Sequence, residues 1–167
     1  MPIKIRFGNL IKEITPSIDS NDMIVHQVNA MGVMGSGFAK ELRETYPEVF
    51  TTYSAYINGI ETNKMGLVLP HLVEQDGKTL LIQNVVGQFN FGRDGKRYTS
   101  YDALDTAFKS LASVLKEDIA EFRTTFNVHF PAMGCGLGGG SWPVVEAIIN
   151  THLTDPNISC TLWLPKS

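Results

Sequence analysis

The sequence predicts an α/β fold in three layers, helices on both faces of a mixed, mostly parallel central sheet of about six strands. Three observations carry that expectation. Short apolar runs alternate along the chain with stretches of helical period. One run, Met23-Ile24-Val25-His26-Gln27-Val28, is of the kind a buried central strand shows. Two glycine-rich segments each stand between such a run and a helical stretch, where parallel sheets carry their ligand loops.

Taken in order, Ile3, Ile5 and Phe7 alternate with Lys4 and Arg6, the pattern of a half-exposed strand. After the Met23–Val28 strand, Phe38, Leu42 and Tyr46 recur at helical spacing until Pro47 ends or kinks the segment. Val49, Phe50, Tyr53, Tyr56 and Ile57 resume the helical period as far as Asn58-Gly59. Gly66–Leu69 and Thr79–Val86 are two further strands, joined by a turn at Gln75-Asp76-Gly77. The longest helix follows: Thr99 and Asp102 have capping-box spacing, ahead of Tyr101, Leu104, Phe108, Leu111, Leu115, Ile119 and Phe122. Asn127–Phe130 is a strand, and Ser141 caps a last helix whose inner face is Val145, Ile148, Ile149 and His152 or Leu153. Cys160–Leu164 closes the sheet. No repeat, low-complexity tract or linker interrupts, so residues 1–167 read as one domain.

Composition narrows the function. A net charge of −3 and a pI near 5.8 argue against a nonspecific nucleic-acid binder, which needs Lys and Arg to neutralise phosphates. A small phosphate-bearing ligand remains compatible, because oriented backbone N–H groups hold an anion without net positive charge. Two cysteines, Cys135 and Cys160, exclude a disulfide scaffold and a Cys-based structural zinc site. The opening Met1–Phe7 lacks a signal peptide's apolar centre, and no run of about 18 apolar residues exists. The expectation is a cytoplasmic monomer with no membrane partner.

The glycine loops are Asn29-Ala30-Met31-Gly32-Val33-Met34-Gly35-Ser36-Gly37 and Pro131-Ala132-Met133-Gly134-Cys135-Gly136-Leu137-Gly138-Gly139-Gly140-Ser141. Each precedes a helix, whose N-terminus supplies unsatisfied N–H groups and a positive dipole end. Gly134 to Ser141 mimics P-loop spacing, but Gly140 stands where that loop needs lysine; Gly35-Ser36-Gly37 lacks the third glycine of a dinucleotide fingerprint. Two facing glycine loops at strand ends suit a diphosphate. His26, His71, His129 and His152 are scattered without ligand spacing, so neither a metal nor a cofactor is called for. Cys135, in a glycine loop, is a thiol whose pKa N–H dipoles would lower. No arginine follows Arg123 to serve it as a Cys-phosphatase would require.

Gly8-Asn9-Leu10, Ile24-Val25-His26-Gln27-Val28-Asn29-Ala30, Met34-Gly35-Ser36-Gly37-Phe38-Ala39, Gly134-Cys135-Gly136-Leu137 with Trp142, and Cys160-Thr161-Leu162-Trp163 together resemble the macro domain family over almost the whole chain. Gln88-Phe89-Asn90-Phe91-Gly92 and Gly136-Leu137-Gly138-Gly139-Gly140-Ser141-Trp142 are similar to the members described as ADP-ribose-1″-phosphate phosphatases. The resemblance implies a pocket for ADP-ribose or its 1″-phosphate. Val33, Met34, Gly35, Ser36, Gly37 and Phe38 would wrap it from one side, and Gly134, Cys135, Gly136, Leu137, Gly138, Gly139 and Gly140 from the other. Asn29 would bond the distal ribose, and His26, near the pocket floor, would orient water or protonate a leaving oxygen. Asn9, beside Leu10, stands where the family commonly has an adenine-binding Asp. Phe89 could stack on a base or ribose and Arg93 could meet a terminal phosphate. Gly138 stands where members that remove ADP-ribose from acidic side chains carry an Asp, so phosphate hydrolysis is expected ahead of deacylation. The alternative is a module that binds ADP-ribose without turnover.

Overall fold

The structure is a computed structural model describing residues 2–18 and 21–166; Met1 of the opening segment lies outside them. Six strands form one sheet: β1 (Lys4–Phe7), β2 (Asp22–Asn29), β3 (Val68–Gln75), β4 (Lys78–Gln88), β5 (Phe126–Phe130) and β6 (Ile158–Leu164). Their order is β1-β6-β5-β2-β4-β3. Every pairing is parallel except β3 with β4. Asp76 and Gly77, at φ 52° and 76°, make the two-residue loop of that hairpin, the primed turn that matches strand twist. Pro70, which cannot donate a ladder bond, is tolerated because β3 is an edge strand.

Helices α1 (Leu10–Glu13), α2 (Gly37–Thr45) and α3 (Pro47–Gly59) cover one face; α4 (Tyr101–Phe122) and α5 (Trp142–His152) cover the other. Alternation along β2 feeds both cores. Ile24 and Val28 pack with Leu42, Tyr53 and Ile57, while Met23 and Val25 pack with Leu104, Phe108 and Phe130. Pro47, at the first turn of α3, lacks the N–H that would extend α2 and so separates the two helices.

The short helix α1 was not expected. Asn9 makes it, its side-chain oxygen accepting from the Lys12 N–H at 3.1 Å. The cap of α4 is Ser100, not Thr99: its hydroxyl accepts from the Ala103 N–H at 3.1 Å. The hydroxyl of Thr99 is taken elsewhere, as described below. Ser36 and Ser141 occupy the N-cap positions of α2 and α5, but neither side chain makes a cap bond. Among the described residues no helix is long and apolar enough to cross a membrane.

Candidate functional site

The carboxyl ends of β2, β4 and β5 open into a cleft of about 310 Å³. Its floor is His26 to Asn29 of β2. One wall is Val33 to Gly37 with Phe38 and Ala39 of α2, and the other is Pro131 to Gly134 with Gly136 to Gly138. Gln88, Phe91, Gly92 and Arg93 stand at the end of β4.

The first wall is tied to Asn29. The register of β2 on β4 shifts between Val28 and Asn29, and beyond that irregularity Asn29 meets Tyr53 of α3. The Asn29 Oδ1 accepts from the Met31 N–H at 3.0 Å, the Val33 N–H at 3.3 Å and the Tyr53 hydroxyl at 3.0 Å. Its Nδ2 donates to the Val33 carbonyl at 2.8 Å, which leaves one N–H of the amide for a ligand. Burial raises the Tyr53 hydroxyl's pKa, so it stays a donor.

The second wall closes on itself. The N–H of Gly140 and the hydroxyl of Thr99 both donate to the Gly134 carbonyl at 2.7 Å, and Gly139 N–H bonds the Gly136 carbonyl at 3.0 Å. The N–H groups of Tyr98 and Thr99 both reach the Gly138 carbonyl, at 2.8 and 3.0 Å. What these bonds leave over is informative. Among the described residues the N–H groups of Gly136, Leu137 and Gly138 make no hydrogen bond, and neither do those of Gly35 and Ser36. All five residues line the cleft, so each wall carries backbone donors that no protein acceptor has taken.

His26 is 1% exposed, and its ring lies 5.6 Å from that of Phe38, centre to centre. Because Asn84 Nδ2 donates to the Leu69 carbonyl, Asn84 Oδ1 is an acceptor, and the 2.6 Å contact makes His26 Nε2 the donor. His26 Nδ1 is then a buried lone pair without a partner. Burial lowers the pKa to about 4, against the smaller raising effect of the Asn84 bond. The expected protonation of a leaving oxygen is thus corrected: the ring is neutral, donates its Nε2–H to Asn84 and offers only a hydrogen-bond acceptor at Nδ1. Unfolding frees His26 to protonate near 6.5, so its contribution to stability is full above that pH and falls as pH drops toward 4, by about 3 kcal/mol. Nitrogen-15 NMR between pH 7 and 5 should show a neutral Nε2–H tautomer throughout; a midpoint near 6.5 would overturn this account.

Other expectations are redistributed. Leu10 is core, and both ends of the Asn9 amide are engaged, its Nδ2 donating to Glu41 Oε1 at 2.6 Å. Neither lines the cleft. Phe91 lines it in place of Phe89, which is 61% exposed beyond it, whereas Arg93 does line it. Cys135, Gly139 and Gly140 lie behind the wall they shape. The Cys135 thiol bonds the Met133 carbonyl, and burial raises its pKa instead of N–H dipoles lowering it. His129 accepts from Trp163 Nε1 at 3.0 Å and meets Asp22 at 2.9 Å, and His152 meets Asp105 at 2.6 Å; both are structural. The sequence reading missed Gln27 and Thr99. Their signals were a glutamine inside an apolar strand and a threonine one place before a capping serine.

The macro domain family matches residues 25–149, well over half of the chain. The chain is 23% identical over 172 residues to the ADP-ribose 1″-phosphate phosphatase of Scheffersomyces stipitis, covering 90% of this chain and 95% of that protein. It is 24% identical over 148 residues to a DNA ADP-ribosyl transferase–DNA ADP-ribosyl glycohydrolase fusion protein of Thermosipho africanus, covering 83% of this chain and 37% of that protein. Against this and the mycobacterial DNA ADP-ribosyl glycohydrolases, the chain spans less than two fifths of the relative's length. A solved Bacteroides thetaiotaomicron protein of unknown function superposes with a TM-score of 0.78 at 28% identity, over 99% of both chains.

Proposed function

The chain belongs to the macro domain family, and from that premise we propose that its cleft binds ADP-ribose and hydrolyses the terminal phosphate of ADP-ribose 1″-phosphate. The observation that carries the reading is the pair of walls in which the N–H groups of Gly35, Ser36, Gly136, Leu137 and Gly138 find no acceptor among the described residues. A diphosphate matches them: it brings several acceptor oxygens, and backbone donors held in place give up no conformational entropy on binding. The free N–H of Asn29 Nδ2, at the floor, is available to a ribose hydroxyl.

For hydrolysis, the adenosine diphosphate portion supplies binding energy that fixes the terminal phosphate for attack by water. The guanidinium of Arg93 and the wall N–H groups would stabilise the phosphoryl oxygens as charge moves onto them. Neutral His26, whose Nδ1 has no partner among the described residues, would serve as an acceptor that orients a hydroxyl or water once that buried atom is reached. With no protonated acid among these groups, the leaving ribose oxygen draws its proton from solvent. A slow enzyme is the consequence. The likeness to the Scheffersomyces stipitis phosphatase, over nearly the whole of both chains, supports this reaction.

The test is phosphate release from ADP-ribose 1″-phosphate, beside an aryl phosphate and calorimetry with ADP-ribose. Release from the first substrate alone is expected, with ADP-ribose binding in the micromolar range. Binding without release would make the protein a reader of ADP-ribose. Loss of label from ADP-ribosylated DNA, with no phosphate release, would favour the reaction of the Thermosipho relative.

A further inference from the structure

Thr99 takes no part in the cleft lining and is 2% exposed, yet the one bond its hydroxyl donates goes to the second wall. Its hydroxyl donates to the Gly134 carbonyl at 2.7 Å and accepts from Gln27 Nε2 at 2.9 Å. The same Gln27 nitrogen donates to Gln88 Oε1 at 2.7 Å, and Gln88 in turn donates to the Asn90 carbonyl at 2.8 Å. Hydrogen bonds donated in both directions from Gln27 thus connect the loop that carries Phe91 and Arg93 with the root of the second glycine wall. Loop glycines crowd Thr99. A Cβ on Gly134 would lie 3.0 Å from Thr99 Oγ1, and one on Gly138 2.6 Å from it. The loop is wound around this side chain, with glycine where the winding is tightest.

We infer that Thr99 is a positioning residue: its hydroxyl, oriented by Gln27, sets the path of residues 134–140 so that the N–H groups of Gly136 to Gly138 stay unclaimed and turned to the ligand. The inference rests on the ADP-ribose reading for its consequence, though not for the loop geometry. The mechanism is simple. The Gly134 carbonyl is held by two donors, the Gly138 carbonyl by two more and the Gly136 carbonyl by the Gly139 N–H, so these acceptors are engaged elsewhere and do not take up the N–H groups of Gly136 to Gly138. If the Thr99 donor is lost, the Gly134 carbonyl can turn and the intervening N–H groups can find partners within the loop. The two backbone bonds to Gly138 remain in either case, so the change is local and the protein still folds.

Thr99→Val keeps the shape and removes the hydroxyl, and Thr99→Ser restores the hydroxyl with one methyl fewer. Two readouts are needed on each purified variant. Amide hydrogen exchange without ligand should quicken at least about tenfold at the bonded amides of Gly139 and Gly140 in T99V and stay as in the unsubstituted protein in T99S, with the α4 and β2 amides unchanged in both. ADP-ribose affinity by calorimetry should fall about 30-fold in T99V and by less than about threefold in T99S. Unaltered loop exchange in T99V overturns the inference, and so does altered exchange with unaltered affinity. If the unsubstituted protein fails to bind ADP-ribose, the functional reading falls. The exchange data then still decide whether Thr99 sets the loop.

Discussion

Gly138→Asp should abolish ADP-ribose binding, by about 100-fold or more, and should confer no deacylase activity. The family resemblance implies an Asp after the Gly-Cys-Gly-Leu stretch in members that remove ADP-ribose from acidic side chains, so placing one at position 138 looks like a way to change the reaction. The structure says otherwise. A Cβ at residue 138 would lie 2.6 Å from Thr99 Oγ1 and 2.8 Å from the Gly134 carbonyl oxygen. Thr99 is buried and bonded on both sides, and the Gly134 oxygen is backbone that already accepts two hydrogen bonds. Neither neighbour can retreat without opening the wall, so the loop must move by an ångström or so. A carboxylate at that point would also compete with the diphosphate for the free N–H groups beside it. The loop distortion and the charge together cost about 3 kcal/mol of binding, hence the 100-fold. Calorimetry with G138D and G138A separates the two causes: the alanine variant carries the steric part alone and should lose less. ADP-ribose affinity in G138D within tenfold of the unsubstituted protein would show that the loop accommodates side chains there.

The same crowding shows why the site was only partly legible in the sequence. Strands and helices were readable from their patterns: the Met23–Val28 run is apolar and almost continuously buried, and Leu104, Phe108, Leu111 and Leu115 recur at helical spacing on one buried face. The glycine loops were readable because five glycines within residues 134–140 are incompatible with either periodicity. Which side chains hold those loops was not, since that depends on contacts between residues far apart in the chain. Thr99 sits at capping-box spacing and was read as a cap, yet Gly134, 35 positions away, recruits its hydroxyl and the cap passes to Ser100. Asn9 was read toward the ligand, yet Glu41 and Lys12 occupy both ends of its amide. The pKa of His26 was misjudged for a related reason. Composition gives the ring's intrinsic value, while the depth of its burial decides the actual one.

Asn29→Ala should lower stability and binding together, whereas Asn29→Asp should separate them. The side chain does two jobs with different atoms. Its oxygen gathers the Met31 and Val33 N–H groups and the Tyr53 hydroxyl, and its nitrogen closes the loop on the Val33 carbonyl while keeping one N–H toward the cleft. Truncation to Ala strands those partners in a part-buried place; Tyr53 alone keeps an alternative, the Asn29 main-chain carbonyl at 2.5 Å. A loss of about 3 kcal/mol follows, which for a chain of this size lowers the melting temperature by about 10 °C. The first wall then loses its anchor, and ADP-ribose affinity falls with it. Aspartate keeps the acceptor and its three donors, so most of the stability survives. It gives up both N–H groups, sets a negative charge against the Val33 carbonyl, and faces an anionic ligand with a carboxylate. The expected pattern is a melting temperature for N29D closer to that of the unsubstituted protein than to that of N29A, with an ADP-ribose affinity no better than that of N29A. Melting curves and calorimetry on the two variants decide it. An N29A protein that melts within about 3 °C of the unsubstituted one would show that the four bonds do not hold the loop. An N29D protein that still binds ADP-ribose tightly would show that the free N–H of Asn29 is not directed at the ligand.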